Sequence, residues 1–326
     1  MCRLFGRSLL LAALTLCAPL AARAAGFEVV PTGHDSDLRV FLGGGRGLSG
    51  GEALARMRAG VDLNLWVAGN QYFAMGDVVR AFQKTHPTAR AVGVVTLPPG
   101  LIAQAILKGG LRYLGKDYSL RPDAYATVDL AHLRALKAAG LARAYRIYLH
   151  NELALMVAKG NPKHVRDLED LRRSDLRIEL PNPIDEGIMS VYGRKVLMRR
   201  GLWTALTGGR ECRSCRPVAN VYFTAVHHRE IPADLSDGRA DVGLVWKTEV
   251  RNSAAKGLPI AGVYLPAQDS LRDEVSYLIA PIIGAAHAAQ AGAYLSFLET
   301  PAARDAYAAH GFVPARPWET APRPIP

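Results

Sequence analysis

The chain has 326 residues, 49% of them hydrophobic and 21% charged, with a formal net charge of +11. That balance excludes intrinsic disorder, collagen-like repeats and coiled coils. The length gives one large domain or two of roughly 100–200 residues each, enough for a sizeable core.

Residues 1–24 read as a secretory signal peptide. Arg3 and Arg7 form a basic start, Leu9 to Leu20 an apolar run, and Ala22-Arg23-Ala24 a cleavage site of small residues. The run is too short to span a bilayer, and no later stretch reaches about 18 uninterrupted apolar residues. Leu16 before Cys17 fits a lipoprotein signal badly. A soluble mature chain in the periplasm, starting near Ala25, is expected. Losing three signal arginines leaves +8 of the +11 charge. The excess is scattered, as at Arg172-Arg173 and Arg199-Arg200, with no basic block. Nucleic acid is therefore not an expected partner, and an anionic ligand or surface is.

Residues 25–61 form an N-terminal extension with a short strand from Leu38 to Leu42, glycine-rich turns, and a helix from Glu52 to Arg58. Strands and helices then alternate. Strands are predicted at Leu63–Ala68, Ala91–Leu97 and Asp123–Val128; helices at Tyr72–Thr85, Leu101–Lys108 and Leu130–Ala139. Repeating βαβ units imply a parallel, doubly wound α/β sheet. Tyr145 to Ala158 is long for one strand and suits a crossing between lobes. Beyond it the sequence predicts helices at Val165–Arg172, Ser190–Arg200 and Ala288–Leu298, and strands at Arg177–Leu180, Asp241–Trp246 and Val275–Ile282.

The mature chain keeps two cysteines, Cys212 and Cys215. In an oxidising compartment they read as a local disulfide, with a metal half-site and a thiol-redox motif as alternatives. Arg216 follows Cys215, which excludes c-type haem attachment. Among catalytic patterns there is no Gly-x-Ser-x-Gly elbow, no phosphate-cradling loop and no His-Glu-x-x-His. No enzyme activity and no cofactor are expected.

Five segments in order resemble the type 2 periplasmic solute-binding proteins of ABC importers, most closely the molybdate-binding branch. They are Leu65–Gly69 with the helix ending Ala81–Pro87, Leu153–Pro162 with Leu168–Leu171, and Gly187–Leu197. The last two are Gly238–Thr248, and Tyr294–Pro301 through Gly311-Phe312. Together they cover residues 62–313. The resemblance implies two doubly wound α/β lobes joined by two crossover strands, lobe 1 being residues 62–147 plus 250–326 and lobe 2 residues 148–249. It also implies a monomer that clamps a small ligand, an anion such as a molybdate-like oxyanion, and delivers it to an ABC importer permease. Its ligand-binding positions fall on Asn70, Gln71, Tyr72, Gly100, Ser190, Tyr192 and Trp246, with free N–H groups expected at the Ser190 helix start; His227 is an outside candidate, since one of two adjacent histidines could face the cleft. The chain departs from that branch at three of its positions. Asn70 stands for a small hydroxyl residue, Pro98-Pro99-Gly100 for Ser-Gly, and Trp246 for a tyrosine. Two prolines remove two anion donors.

Two other readings stand beside this one. His227 and His228 with Cys212 and Cys215 offer soft ligands to a metal-handling or thiol-redox protein, although adjacent histidines in a strand point to opposite faces. Cleft closure would equally serve a subunit that presents its ligand to a membrane sensor.

Overall fold

The computed structural model describes residues 27–29 and 37–326. The signal peptide and Cys17 lie outside the described residues. Two sheets, each wrapped by helices, form two lobes. The first has the strand order Val313–Pro314, Ala144–His150, Ser276–Pro281, Ala124–Thr127, Leu63–Ala68, Ala91–Leu97, Leu38–Leu42, Gly47–Ser49. Its central three strands are parallel, and every residue of all three is buried. Strands covered on both faces read as the unbroken apolar runs seen in the sequence.

The second sheet runs Cys215–Val218, Val221–Phe223, Ile178–Leu180, Val242–Trp246, Leu153–Ala158, Ile260–Tyr264. Ile178–Leu180 is parallel to both of its neighbours, and Leu153–Ala158 is antiparallel to both of its own. A small third sheet joins Phe27–Val29 to the Gly110–Tyr113 and Lys116–Ser119 hairpin.

Four expectations need correction. The long strand from Tyr145 divides into Ala144–His150 in the first sheet and Leu153–Ala158 in the second. Asn151 makes the break: its side chain accepts from the Glu152 N–H at 2.9 Å and donates to Thr248 Oγ1 at 3.0 Å. The second crossover follows Tyr264, not residue 249, because Ile260–Tyr264 pairs along Leu153–Ala158. Residues 38–59 carry the expected strand and helix, but they belong to lobe 1 and are not an extension outside it. Leu38–Leu42 pairs antiparallel with Ala91–Leu97, and helix Gly50–Ala59 packs Leu54 and Met57 into the first lobe. The helix expected over 165–172 is only a 3₁₀ turn at Glu169–Arg172. Asp167 and Asp170 accept the Glu169 and Arg166 backbone N–H groups at 2.9 and 2.7 Å, and such local bonds compete with helix formation.

Candidate functional site

Each lobe ends its parallel strands at a common edge, and the two edges face one another. From lobe 1 come the turns after Ala68, Leu97 and Thr127; from lobe 2 come residues 181–190, 224–230 and the start of helix Lys247–Ala255. The cleft between them is shut. The Gly100 N–H donates across it to the Asp185 carbonyl at 3.2 Å. The Tyr192 hydroxyl donates to the Val128 carbonyl at 3.0 Å. Gly69 and Gly187 permit the approach: a β-carbon on Gly69 would lie 3.2 Å from His227 Nδ1, and one on Gly187 would lie 2.6 Å from a Val128 methyl.

The closed cleft encloses buried charge. Arg229 of lobe 2 reaches into lobe 1, where its Nη2 donates to the Asp37 carboxylate and, at 3.1 Å, to the Thr96 carbonyl. The same nitrogen is 2.9 Å from His227 Nε2, which sits 3.3 Å from Asp37. Burial alone would raise the Asp37 carboxyl, but His227 and Arg229 hold it below its usual value. The guanidinium also lies over the Tyr72 ring at 5.0 Å. Its Nε and Nη1 are buried and have no hydrogen-bond partner.

Behind this layer, His228 is held between two carboxylates, Glu186 at 2.9 Å and Glu249 at 2.8 Å. Burial would lower its pKa, yet the two acids push it up to about 10, so the ring is an imidazolium. Glu186 is in turn kept below its usual value, because the pull of His228 and His227 outweighs its burial.

The residues expected from the sequence fall into three groups. Tyr72, Gly100, Tyr192 and His227 lie at the interlobe contact already described. Asn70, Gln71 and Trp246 are buried in its wall. Asn70 donates to the Tyr277 hydroxyl, which also accepts from Asn151 at 3.1 Å, so the turn is tied to the crossover. Gln71 Oε1 accepts from Tyr148 at 2.7 Å and Tyr307 at 3.1 Å, while its Nε2 is buried without a partner. Trp246 packs between Tyr192 and Tyr277, ring centroids 5.7 and 6.2 Å away. Ser190 forms the third group and is a correction: its N–H donates to the Glu186 carbonyl at 2.9 Å and is not free, since residues 188–193 form a π-turn and not a fresh helix start. Sequence reasoning missed Asp37, Glu186, Arg229 and Glu249. The only signal was the string His227-His228-Arg229-Glu230, where the histidines drew attention and the arginine did not.

Cys212 and Cys215 are joined as a disulfide, their Cα atoms 6.1 Å apart. Among the described residues no group of three or more His, Cys, Asp or Glu is placed to hold a metal. Arg213, inside the disulfide loop, grips the Asp185 carboxylate with two hydrogen bonds, so the loop braces the segment that meets Gly100. Closing so short a loop is worth about 2 kcal/mol on chain-entropy grounds. The Cys212→Ser/Cys215→Ser variant is therefore expected to unfold in urea with roughly that loss; an unchanged midpoint would remove the disulfide from the stabilising set.

Two α/β lobes, two crossovers and a polar cleft at the strand ends define a type 2 solute-binding protein. The chain belongs to the family described as bacterial extracellular solute-binding protein, whose model matches residues 63–313. A curated relative, the sulfate-binding protein of Synechococcus elongatus, is 27% identical over 177 residues, which are 52% of this chain and 49% of that protein. The chain thus spans about half the length of the curated relative it matches. Two solved structures share the fold at 20% identity. The sulfate-binding protein of Mycobacterium tuberculosis superposes with a TM-score of 0.59 over 78% of this chain and 88% of its own. The periplasmic molybdate-binding protein of Azotobacter vinelandii does so with 0.61 over 78% and 100%.

Proposed function

We propose that this protein is a periplasmic, monomeric binding protein that captures a small oxyanion in the interlobe cleft and hands it to the permease of an ABC importer, without catalysis of its own. The observation that carries the reading is Arg229. A cation buried between the lobes keeps two nitrogens, Nε and Nη1, without acceptors, and leaving such a buried donor unpaired costs about 1–3 kcal/mol. An anion would repay that cost by accepting charge-assisted hydrogen bonds from these nitrogens. His227 and Tyr72 flank the guanidinium, so they are assigned to the ligand with it. Gly100 and Tyr192 are assigned to closure, and Asn70, Gln71, Ser190 and Trp246 to the supporting wall. The names of the relatives, sulfate- and molybdate-binding, agree in ligand class.

Thermal melts with sulfate, molybdate, tungstate and phosphate test this. At 100 times its dissociation constant a bound ligand adds about 2.7 kcal/mol, several degrees for a chain of this size. At least one of the four is expected to raise the melting temperature of the wild type. The Arg229→Gln/Asp37→Asn variant, which strands no charge, is expected to lose that rise. Failure of all four anions on the wild type would sink the oxyanion reading.

A further inference from the structure

Lobe 2 carries a cavity at the edge of its sheet opposite the cleft. It measures about 290 Å³ and opens where strands Ile178–Leu180, Val221–Phe223 and Val242–Trp246 begin. Arg177, Glu179, Arg216, Tyr222, Asp234 and Arg239 line it. That volume lies near the lower end for ligand pockets and suits a molecule of few heavy atoms.

Glu179 decides its chemistry. It pairs in register with Tyr222 and Gly243, under the helix Ile231–Ser236, whose Ile231 would stand 2.3 Å from a β-carbon on Gly243. The residue is 2% exposed, both of its carboxyl oxygens are buried with no donor reaching them, and the neighbouring Asp234 carboxylate can only share the acid's own proton. Burial first, and then the neighbouring Asp234 and Glu230, push its pKa up to about 9, so the acid is neutral at pH 7. The other charges around it are the cations Arg177, Arg216 and Arg239. Two of these are spent. Arg177 holds Asp241 with bonds of 2.8 and 3.0 Å, and Arg239 holds Asp234 and Asp237. The exposed Arg216 guanidinium has no ion pair or hydrogen bond among the described residues. One end of the cavity therefore lacks donors for a buried acid, and its mouth holds an unspent cation. A metal is disfavoured because no set of three ligands is present among the described residues. An ammonium group needs only acceptors.

We infer that this cavity binds a small zwitterion of the amino-carboxylate class, its ammonium on Glu179 and Asp234 and its carboxylate on Arg216. Binding converts the Glu179 carboxylic acid to a carboxylate facing the ammonium, and the displaced proton passes to solvent. The site is separate from the cleft and does not depend on the oxyanion reading.

Calorimetry on the full chain at pH 7, in two buffers of different ionisation enthalpy, tests it with 4-aminobutyrate, butylamine and butyrate. The amino acid is expected to bind with release of close to one proton, the amine more weakly, and butyrate not at all. Glu179→Gln keeps the shape and neutrality of the site, so the fold survives. It should weaken 4-aminobutyrate by about tenfold or more and abolish proton release, while leaving any oxyanion-induced rise in melting temperature unchanged. Arg216→Ala, a surface change, should erase the preference for the amino acid over the amine. The assignment is overturned if none of the probes binds at millimolar concentration, if Glu179→Gln leaves binding intact, or if the Arg216→Ala protein keeps the preference.

Discussion

Replacing His228 with alanine is expected to cost about 3–5 kcal/mol of folding stability, because it leaves two buried carboxylates without their shared cation. Glu186 and Glu249 lie 2.9 and 2.8 Å from the ring, and all three side chains are almost wholly buried. Urea unfolding measures the loss directly. Adding Glu249→Gln to His228→Ala should recover part of it, since one stranded charge is gone. The pH dependence provides a second, independent reading. The ring keeps its proton in the folded state up to about 10, whereas an unfolded histidine loses it near 6.5. Its contribution is therefore complete below about pH 6.5 and is lost as the pH rises through about 10. Glu179 acts in the same direction. It stays protonated up to about 9 when folded but ionises near 4.5 when unfolded, so folding is penalised increasingly across that window. Wild-type stability should fall from pH 7 to pH 10, and His228→Ala should flatten part of that slope. Equal slopes in the two proteins would mean that His228 carries no proton in the folded state.

How much of this was legible in the sequence depended on the range of the forces involved. Strands Leu63–Ala68 and Ala91–Leu97 and helix Tyr72–Thr85 are found where predicted, because burial on both sheet faces and helical periodicity are written in contiguous residues. The division of 145–158 was illegible for the opposite reason. Nothing local distinguishes Asn151 from any polar strand residue until Thr248 and Tyr277 arrive from distant segments. The site behaved likewise. Asp37, Glu186, Arg229 and Glu249 sit far apart in the chain, and only the fold makes them a network. The histidine pair was noticed, but the alternation rule for strands did not apply. His228 begins a 3₁₀ turn, and both rings approach Glu186, at 3.8 and 2.9 Å. The proline pair was read only as a departure from the loop of the resembled family. Pro98-Pro99 starts a helix with no N–H at its first position, and the next N–H, that of Gly100, is spent on closing the lobes.

That last contact makes Gly100→Ala the sharpest test of closure. Gly100 lies in the first turn of helix Pro99–Lys108, where alanine is locally the better residue by up to about 1 kcal/mol. Lobe 1 alone should therefore tolerate the change. In the closed cleft the new β-carbon would stand 3.0 Å from the Asp185 carbonyl oxygen and 3.3 Å from its Cα. Both are backbone atoms, and Arg213 clamps that residue, so the contact cannot be relieved by turning a side chain. Gly187 differs in this respect, since a β-carbon there meets only a Val128 methyl. Overpacking of this kind costs about 1–3 kcal/mol, and here the cost falls on the closed state alone. Ligand affinity, which is scaled by the closed population, should weaken about 5- to 150-fold while ligand-free thermal stability is held or slightly lowered. Small-angle scattering in saturating ligand should show a larger radius for the variant than for the wild type. Unchanged affinity together with an unchanged radius would mean that the Gly100–Asp185 approach is not what clamps the ligand. A large loss of ligand-free stability would place the strain inside lobe 1 instead of across the cleft.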